Sequence, residues 1–171
     1  MNTTTSGFKP LIRSGIFLGI GLGGFFDGIV FHQLLQLHSM MTARLPKDTV
    51  ANVEVNMFWD GLFHAFTWTM SVIGLILLWR AVTRHRVPLS TKCFVGSMLL
   101  GWGLFNFIEG LIDHHILHLH HVVERLGVSV FDYAFLGSGV ILILVGWAMV
   151  RTGKKDENLL AAAHATRAGA H

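Results

Sequence analysis

Histidines and carboxylates recur at matching intervals in two separate stretches of this chain. In the first stretch, His32 follows Asp27 by five residues and His38 follows it by eleven. The second stretch repeats both intervals, starting from Glu109. Imidazole and carboxylate groups together are common ligands of zinc and iron in proteins. The spacing therefore favours a metal site.

A shift of 82 positions relates the two stretches. It lays Asp27-Gly28 on Glu109-Gly110 and brings three more polar pairs into register. These pairs are His32 with His114, Gln36 with His118, and His38 with His120. Recurring glycines alone would also fit close packing of membrane helices, but here the histidines match as well. Parallel repeats of this kind occur in transporter folds, so the alignment predicts a pseudo-twofold repeat of two helices each.

A third acid–histidine unit opens the second apolar stretch, where His64 follows Asp60 by four residues. On an α-helix this spacing puts both side chains on one face. At about 1.5 Å of rise per residue, His64 is expected near the level of His32 and His114. Three imidazoles and a carboxylate from three helices are then predicted to meet.

The polar residues divide into predicted ligands and supporting groups. The predicted metal ligands are His32, His38, Asp60, His64, Glu109, His114, His120 and His121. Asp27 and Asp113 are predicted to be the catalytic pair, which transfers protons or supports the ligands. A mixed carboxylate and imidazole set suits iron better than copper(I), which prefers sulfur ligands. Iron, with two sites possible, is therefore the expected cofactor, with copper or zinc as alternatives.

Two interpretations without such a metal site stay open. Ionisable groups within a membrane must be paired, coordinated or hydrated, so the cluster could be a hydrated vestibule that handles protons. Two opposed histidines could also hold a haem. The carboxylates beside the histidines favour metal ions over haem.

The elements that must position these residues are membrane-spanning helices. The 171 residues are 52% hydrophobic and only 13% charged, about half the charged share of a typical soluble domain. Four apolar stretches exceed or approach the roughly 20 residues that cross a bilayer as a helix. They lie at about 14–41, 56–79, 93–121 and 133–151. The predicted fold is an all-α, four-helix transmembrane bundle over 1–155, followed by a flexible cytoplasmic tail at 156–171.

Basic residues predict how the bundle is oriented. The linker between the second and third spans holds Arg80, Arg84, Arg86 and Lys92 without an acid, and short loops rich in Lys and Arg are cytoplasmic. Both termini are then expected on the cytoplasmic side of the inner membrane, with the polar cluster facing the outer side. The expected surroundings are the lipid bilayer, and nothing in the sequence indicates nucleic acid.

Three motifs resemble one known family. They are Phe26-Asp27-Gly28 with His32-Gln33-Leu34-Leu35-Gln36 and His38, then Asp60-Gly61 with His64, then Phe105-Asn106 with Glu109-Gly110, Asp113-His114-His115 and His120-His121-Val122. From about residue 19 to residue 150 the chain is similar to the predicted bacterial membrane proteins catalogued as "domain of unknown function 2243". The resemblance implies a four-helix membrane protein and supplies no activity. The histidine spacing is also similar, as an analogy of chemistry, to the histidine boxes of membrane desaturases and hydroxylases.

The leading hypothesis is a membrane oxidoreductase that activates oxygen at a di-iron site to oxidise a lipid-soluble or small substrate. It would need a separate electron donor, because no ferredoxin-like or flavin-binding segment is recognisable. The alternative is a copper or zinc binding and delivery protein, or an oxidase assembly factor, that passes metal to another membrane protein without catalysis. Either form could assemble as a homo-oligomer. Apolar volume beside the metal would favour the enzyme, and an open mouth lined by methionines would favour delivery.

Overall fold

A computed structural model of the chain describes residues 7–84 and 87–168. Three parts of the sequence-based predictions fall outside these residues. They are the first six residues of the predicted membrane domain, Arg86 of the basic linker, and the last three residues of the predicted tail.

The described residues form four long helices and contain no β-strand. The helices are α1 (Lys9–Asp27), α2 (Val50–Arg84), α3 (Thr91–Glu109) and α4 (Val130–Ala168). Each helix, taken with the segment that continues it, is long and apolar enough to cross a membrane. The predicted all-α, multi-pass membrane fold is therefore confirmed. The backbone from 156 to 168 is the helical end of α4, and its role as a flexible cytoplasmic tail stays a prediction.

Local sequence features explain where α1 and α3 begin. Pro10 lies in the first turn of α1, where its missing N–H would have had no helical partner. Ser90 precedes α3 and its hydroxyl oxygen accepts a hydrogen bond from the Cys93 backbone N–H at 3.3 Å. This is the usual way to satisfy a free donor at a helix start.

Helices α1 and α3 form the centre of the bundle, with α2 packed on α1 and α4 packed on α3. Within the most apolar window of each span, 50% and 44% of the residues are buried in the first and third, against 17% in the second and fourth. Glycines allow the central pair to approach closely. A Cβ atom at Gly19 would run into the carbonyl of Met98, and one at Gly101 would run into the carbonyl of Ile16.

Both central helices end in the same unusual way. Each continues into a π-helical segment, Gly28–Leu34 after α1 and Gly110–Ile116 after α3. The chain then turns back at Gln36 (φ 51°) and His118 (φ 47°), in the left-handed region that side chains rarely adopt. We call this end of the bundle, where α1 and α3 finish and α2 and α4 begin, the polar end.

These turns change the placement of three predicted ligands. The first and third spans end earlier than the predicted 14–41 and 93–121 ranges, because the left-handed turns stop the helices. His38, His120 and His121 consequently lie in the loops at the polar end rather than within helical spans.

Candidate metal centre

The first half of the centre forms where α1 passes into its π-helical segment. On an α-helix, residues five apart would be separated by about 140°, whereas a π turn closes from residue i to i+5. The wider turn lets Asp27 Oδ2 lie 3.1 Å from His32 Nε2. The other nitrogen of that ring, Nδ1, lies 2.9 Å from Asp60 Oδ1 on α2. Asp60 is itself fixed by the Met40 backbone N–H, which donates to it at 2.8 Å.

The second half has the same arrangement at the end of α3. His114 Nε2 lies 3.5 Å from Glu109 Oε1, and His114 Nδ1 lies 3.2 Å from Asp132 Oδ1 on α4. Asp132 is fixed by the Val122 backbone N–H, which donates to it at 3.0 Å. A carboxylate from the neighbouring helix therefore lies beside Nδ1 of the ring in both halves, and it forms a hydrogen bond with His32 but not with His114.

Two further histidines come from the loops, and each is held by the opposite loop. His38 Nδ1 donates to the carbonyl of Val122 at 3.0 Å, and His120 Nδ1 donates to the carbonyl of Met40 at 3.2 Å. A carbonyl oxygen can only accept, so the hydrogen of His38 is on Nδ1 and its Nε2 keeps a free lone pair. The two rings stack with centroids 4.6 Å apart.

Four imidazoles and Glu109 thus converge on one buried space, and Asp27 adjoins it through its contact with His32 Nε2. Two overlapping groups have ligand atoms within 4.8 Å of one another, namely His32, His38 and His120, and Glu109, His114 and His120. Five converging atoms form no hydrogen bond with any described residue. They are Asp27 Oδ2, His32 Nε2, His38 Nε2, Glu109 Oε2 and His114 Nε2. Buried polar atoms without partners are costly and rare, and these groups have the composition and spacing to hold a metal ion.

The loop histidines differ in their electrostatic surroundings. Burial lowers the pKa of His38 well below its usual value, and the neighbouring His120 and His32 add to the effect. Burial also acts to lower the pKa of His120, but its hydrogen bond to Glu109 and the charge of that carboxylate outweigh burial, so the pKa is raised. His38 is therefore a neutral imidazole, the form that binds metals.

His64 is not brought together with the other predicted ligands. Its Nδ1 donates to the carbonyl of Asp60 on its own helix at 2.7 Å. Its ring packs against Gly28 at the start of the π-helical segment that follows α1, where an added Cβ would approach His64 Nε2 to 2.8 Å. Among the described residues, His32, His64 and His114 therefore do not form the expected layer. The ring of His64 is hydrogen-bonded to its own helix and packed against Gly28 instead.

The carboxylates also differ from their expected positions. Asp27 faces the shared space directly, while Asp60 holds the far nitrogen of His32, because the π turn swings His32 between them. His121 Nδ1 lies 3.5 Å from Asp132 Oδ1, outside both groups. Asp113 lines an apolar cavity next to Glu109.

Asp132 is the main residue that the sequence-based ligand set omits. Asp132 follows Asp60 by 72 positions rather than 82. The reason is that the segment from Glu109 to Asp132 is ten residues shorter than the segment from Asp27 to Asp60. A separate comparison of the second and fourth spans would find it. Phe63 and Phe135 keep the same 72-residue offset, and their rings stack on His32 and His114 at 5.5 and 5.3 Å.

Comparison with known proteins places most of the chain in one family. The model of a family described as "Predicted membrane protein (DUF2243)" matches residues 14–153. No curated protein and no solved structure gives a match to the chain.

Proposed function

We propose that this chain, which belongs to the DUF2243 family of predicted membrane proteins, is a membrane oxidoreductase built around a di-iron centre at the polar end. One observation carries the proposal. All four converging imidazoles have Nδ1 next to an oxygen of the protein, which leaves Nε2 directed at the shared space. Metal-bound histidines almost always have this support from a carboxylate or a carbonyl.

The ligands divide naturally between two ions. Asp27, His32 and His38 would hold one ion, and Glu109, His114 and His120 would hold the other. Because His120 belongs to both close groups, its Nε2 atom must be assigned to one ion, and the 3.0 Å hydrogen bond between this atom and Glu109 Oε1 favours the second set. Two histidines and one carboxylate with open positions are typical of non-haem iron(II) sites that use oxygen.

The charge of the centre also favours two ions. Four carboxylates are buried around the shared space, with exposed fractions of 0 to 6%. They are Asp27, Asp60, Glu109 and Asp132. An uncompensated charge at membrane depth costs several kcal/mol. Four ionised carboxylates balance two divalent cations, so the filled centre would carry no net charge beside neutral imidazoles.

An apolar cavity supports catalysis rather than metal storage. About 420 Å³ in volume, it lies beside the centre and is lined by Phe63, Phe105, Ile108 and other apolar residues, together with Glu109 and Asp113. A volume of this size falls in the range of small-molecule sites. When bound, iron would supply oxygen activation, and the cavity would hold the substrate next to it. Asp113, which lines the cavity, would exchange a proton with that substrate.

Metal delivery is the second candidate. A cavity of about 340 Å³ at the polar end reaches His38 between the two loops, so an ion could pass between this ligand and the loop surface. No methionine lines that cavity among the described residues, which favours zinc over copper(I) as the cargo.

The deciding experiment is elemental analysis of the detergent-purified full chain. We expect about two irons per chain in the wild type. His114→Ala should lose metal. His115→Ala is the matched control, because the His115 ring is tied to the Gly110 carbonyl at 2.7 Å. Zinc or copper at about one per chain would replace the oxidase proposal with delivery. Wild type without metal, or equal metal in all three proteins, would refute a metal centre at these residues.

A further inference from the structure

The cavity beside Glu109 opens on the side of the bundle that faces lipid. It lies over α1 in the space between α2 and α3. Phe66, Leu104 and Ile108 line it and are exposed on the spans themselves. Its contents would therefore enter from the bilayer and not from the water at the polar end.

Two carboxylates lie in the lining of this otherwise apolar cavity. Glu109 is buried and its Oε2 atom has no hydrogen-bond partner among the described residues, while Asp113 is half-buried. A carboxyl group without a partner in apolar surroundings is unfavourable. With Glu109 bound to metal, a ligand with a hydrogen-bond donor would pair with Asp113, and an apolar body would fill the rest of the space.

The other side of the bundle offers a comparison. A second cavity of about 230 Å³ reaches Asp27 between α1 and α4. Under the 82-residue shift, Phe31 in this cavity corresponds to Asp113 in the cavity beside Glu109. Trp102 in this cavity likewise corresponds to the smaller Ile20 in the other. This second cavity is smaller and lacks the second carboxylate, so the two cavities are not equivalent and only the one beside Glu109 suits a polar head group.

We propose that the cavity beside Glu109 binds a neutral, membrane-dissolved molecule that ends in a hydroxyl group. The hydroxyl donates to the carboxyl group of Asp113, within reach of Glu109, and the apolar body lies against Phe66, Leu104 and Ile108. This molecule would be the substrate of the proposed oxidoreductase. Its turnover rests on that proposed function, whereas its binding requires only the cavity.

The test is photolabelling of the full chain in phosphatidylcholine vesicles. The probe is a long-chain alcohol that carries a diazirine, and the control probe is its methyl ether, which cannot donate a hydrogen bond. We expect the alcohol to label peptides of α2 and α3 that line the cavity about tenfold more than the ether, the usual effect of a hydrogen bond to a charged group. Asp113→Leu should remove this preference.

A matched pair of tryptophan variants tests the location. Leu104→Trp should fill the cavity and abolish selective labelling. Leu22→Trp should not, because Leu22 is the exposed counterpart of Leu104 in the first half and lines neither cavity. Equal labelling by alcohol and ether, or equal effects of the two variants, would overturn the inference.

Metal content measured on the same samples separates the two proposals. Selective labelling in protein that holds no metal would leave the cavity site standing and refute the di-iron centre. About two irons per chain with unselective labelling would support the di-iron centre and refute the cavity site.

Discussion

At the scale of single residues, the centre depends on which nitrogen of each ring is held. His32 and His114 lie against carboxylates, whereas His38 and His120 donate to backbone carbonyls. A carboxylate partner makes an imidazole more basic and a stronger ligand. The two rings on the π-helical segments should therefore bind metal more tightly than the two loop rings.

Replacing the supporting carboxylates tests this difference. Asp60→Asn and Asp132→Asn keep an oxygen acceptor but remove its charge, so each should weaken metal affinity by about 10-fold to 100-fold. Affinity can be measured by competition with a chelator in detergent. Asp48→Asn, at an exposed position, should change nothing. Wild-type affinity in both buried variants would show that neither carboxylate supports a ligand.

The sequence could predict the ligand types but not the directions of the side chains. His32, His38, Glu109, His114 and His120 are in the predicted set, and the structure brings them together. The predicted helical spans do not continue through His38 and His120, because Gln36 and His118 adopt left-handed backbone conformations. Glycine or asparagine would have signalled such turns, whereas glutamine and histidine do not.

At the scale of elements, the crossing of α1 and α3 sets the distance between the two halves of the centre. Gly15, Gly19 and Gly23 each face α3 at a place where a side chain would collide with it. Small residues four apart predict such a packing edge in a membrane helix. They do not identify the partner helix, because an edge of this kind can meet any small-residue edge.

Two glycine substitutions should separate packing from helix preference. Gly19→Ala places a methyl group against the Met98 carbonyl, and overpacking of this kind typically costs about 1–3 kcal/mol. Its thermal midpoint in detergent should fall, with loss of metal. Gly137→Ala has no neighbour within 4 Å and gains up to about 1 kcal/mol of helix propensity. A Gly19→Ala protein as stable as Gly137→Ala would contradict the close crossing.

At the scale of the whole molecule, composition predicted the four spans and could not predict their order in the bundle. Crossing a bilayer requires only length and apolarity, which the sequence displays directly. Side chains that face lipid are as apolar as those that face other helices, so periodicity gives little guide to which helices pack together. The predicted pseudo-twofold repeat stays a proposal, supported by reciprocal contacts such as Gly19 with Met98 and Gly101 with Ile16.

The predicted orientation can be tested with single cysteines. In a Cys93→Ser background, Lys47→Cys places a thiol at the polar end and Thr91→Cys places one at the opposite end, both at exposed positions. A membrane-impermeant maleimide added to intact bacterial cells should label the first variant. It should label the second only after the cells are permeabilised. The opposite pattern would place the centre on the cytoplasmic side.

The two loops at the polar end hold each other's histidines, since His38 donates to Val122 and His120 donates to Met40. Displacing one loop therefore withdraws the support of the ring on the other. If the centre holds two ions as proposed, an ion in one half would order both loops and reduce the entropic cost of binding in the second half. Filling of the proposed two-ion centre would then be cooperative, and the protein would respond to metal as a threshold device rather than as a graded store.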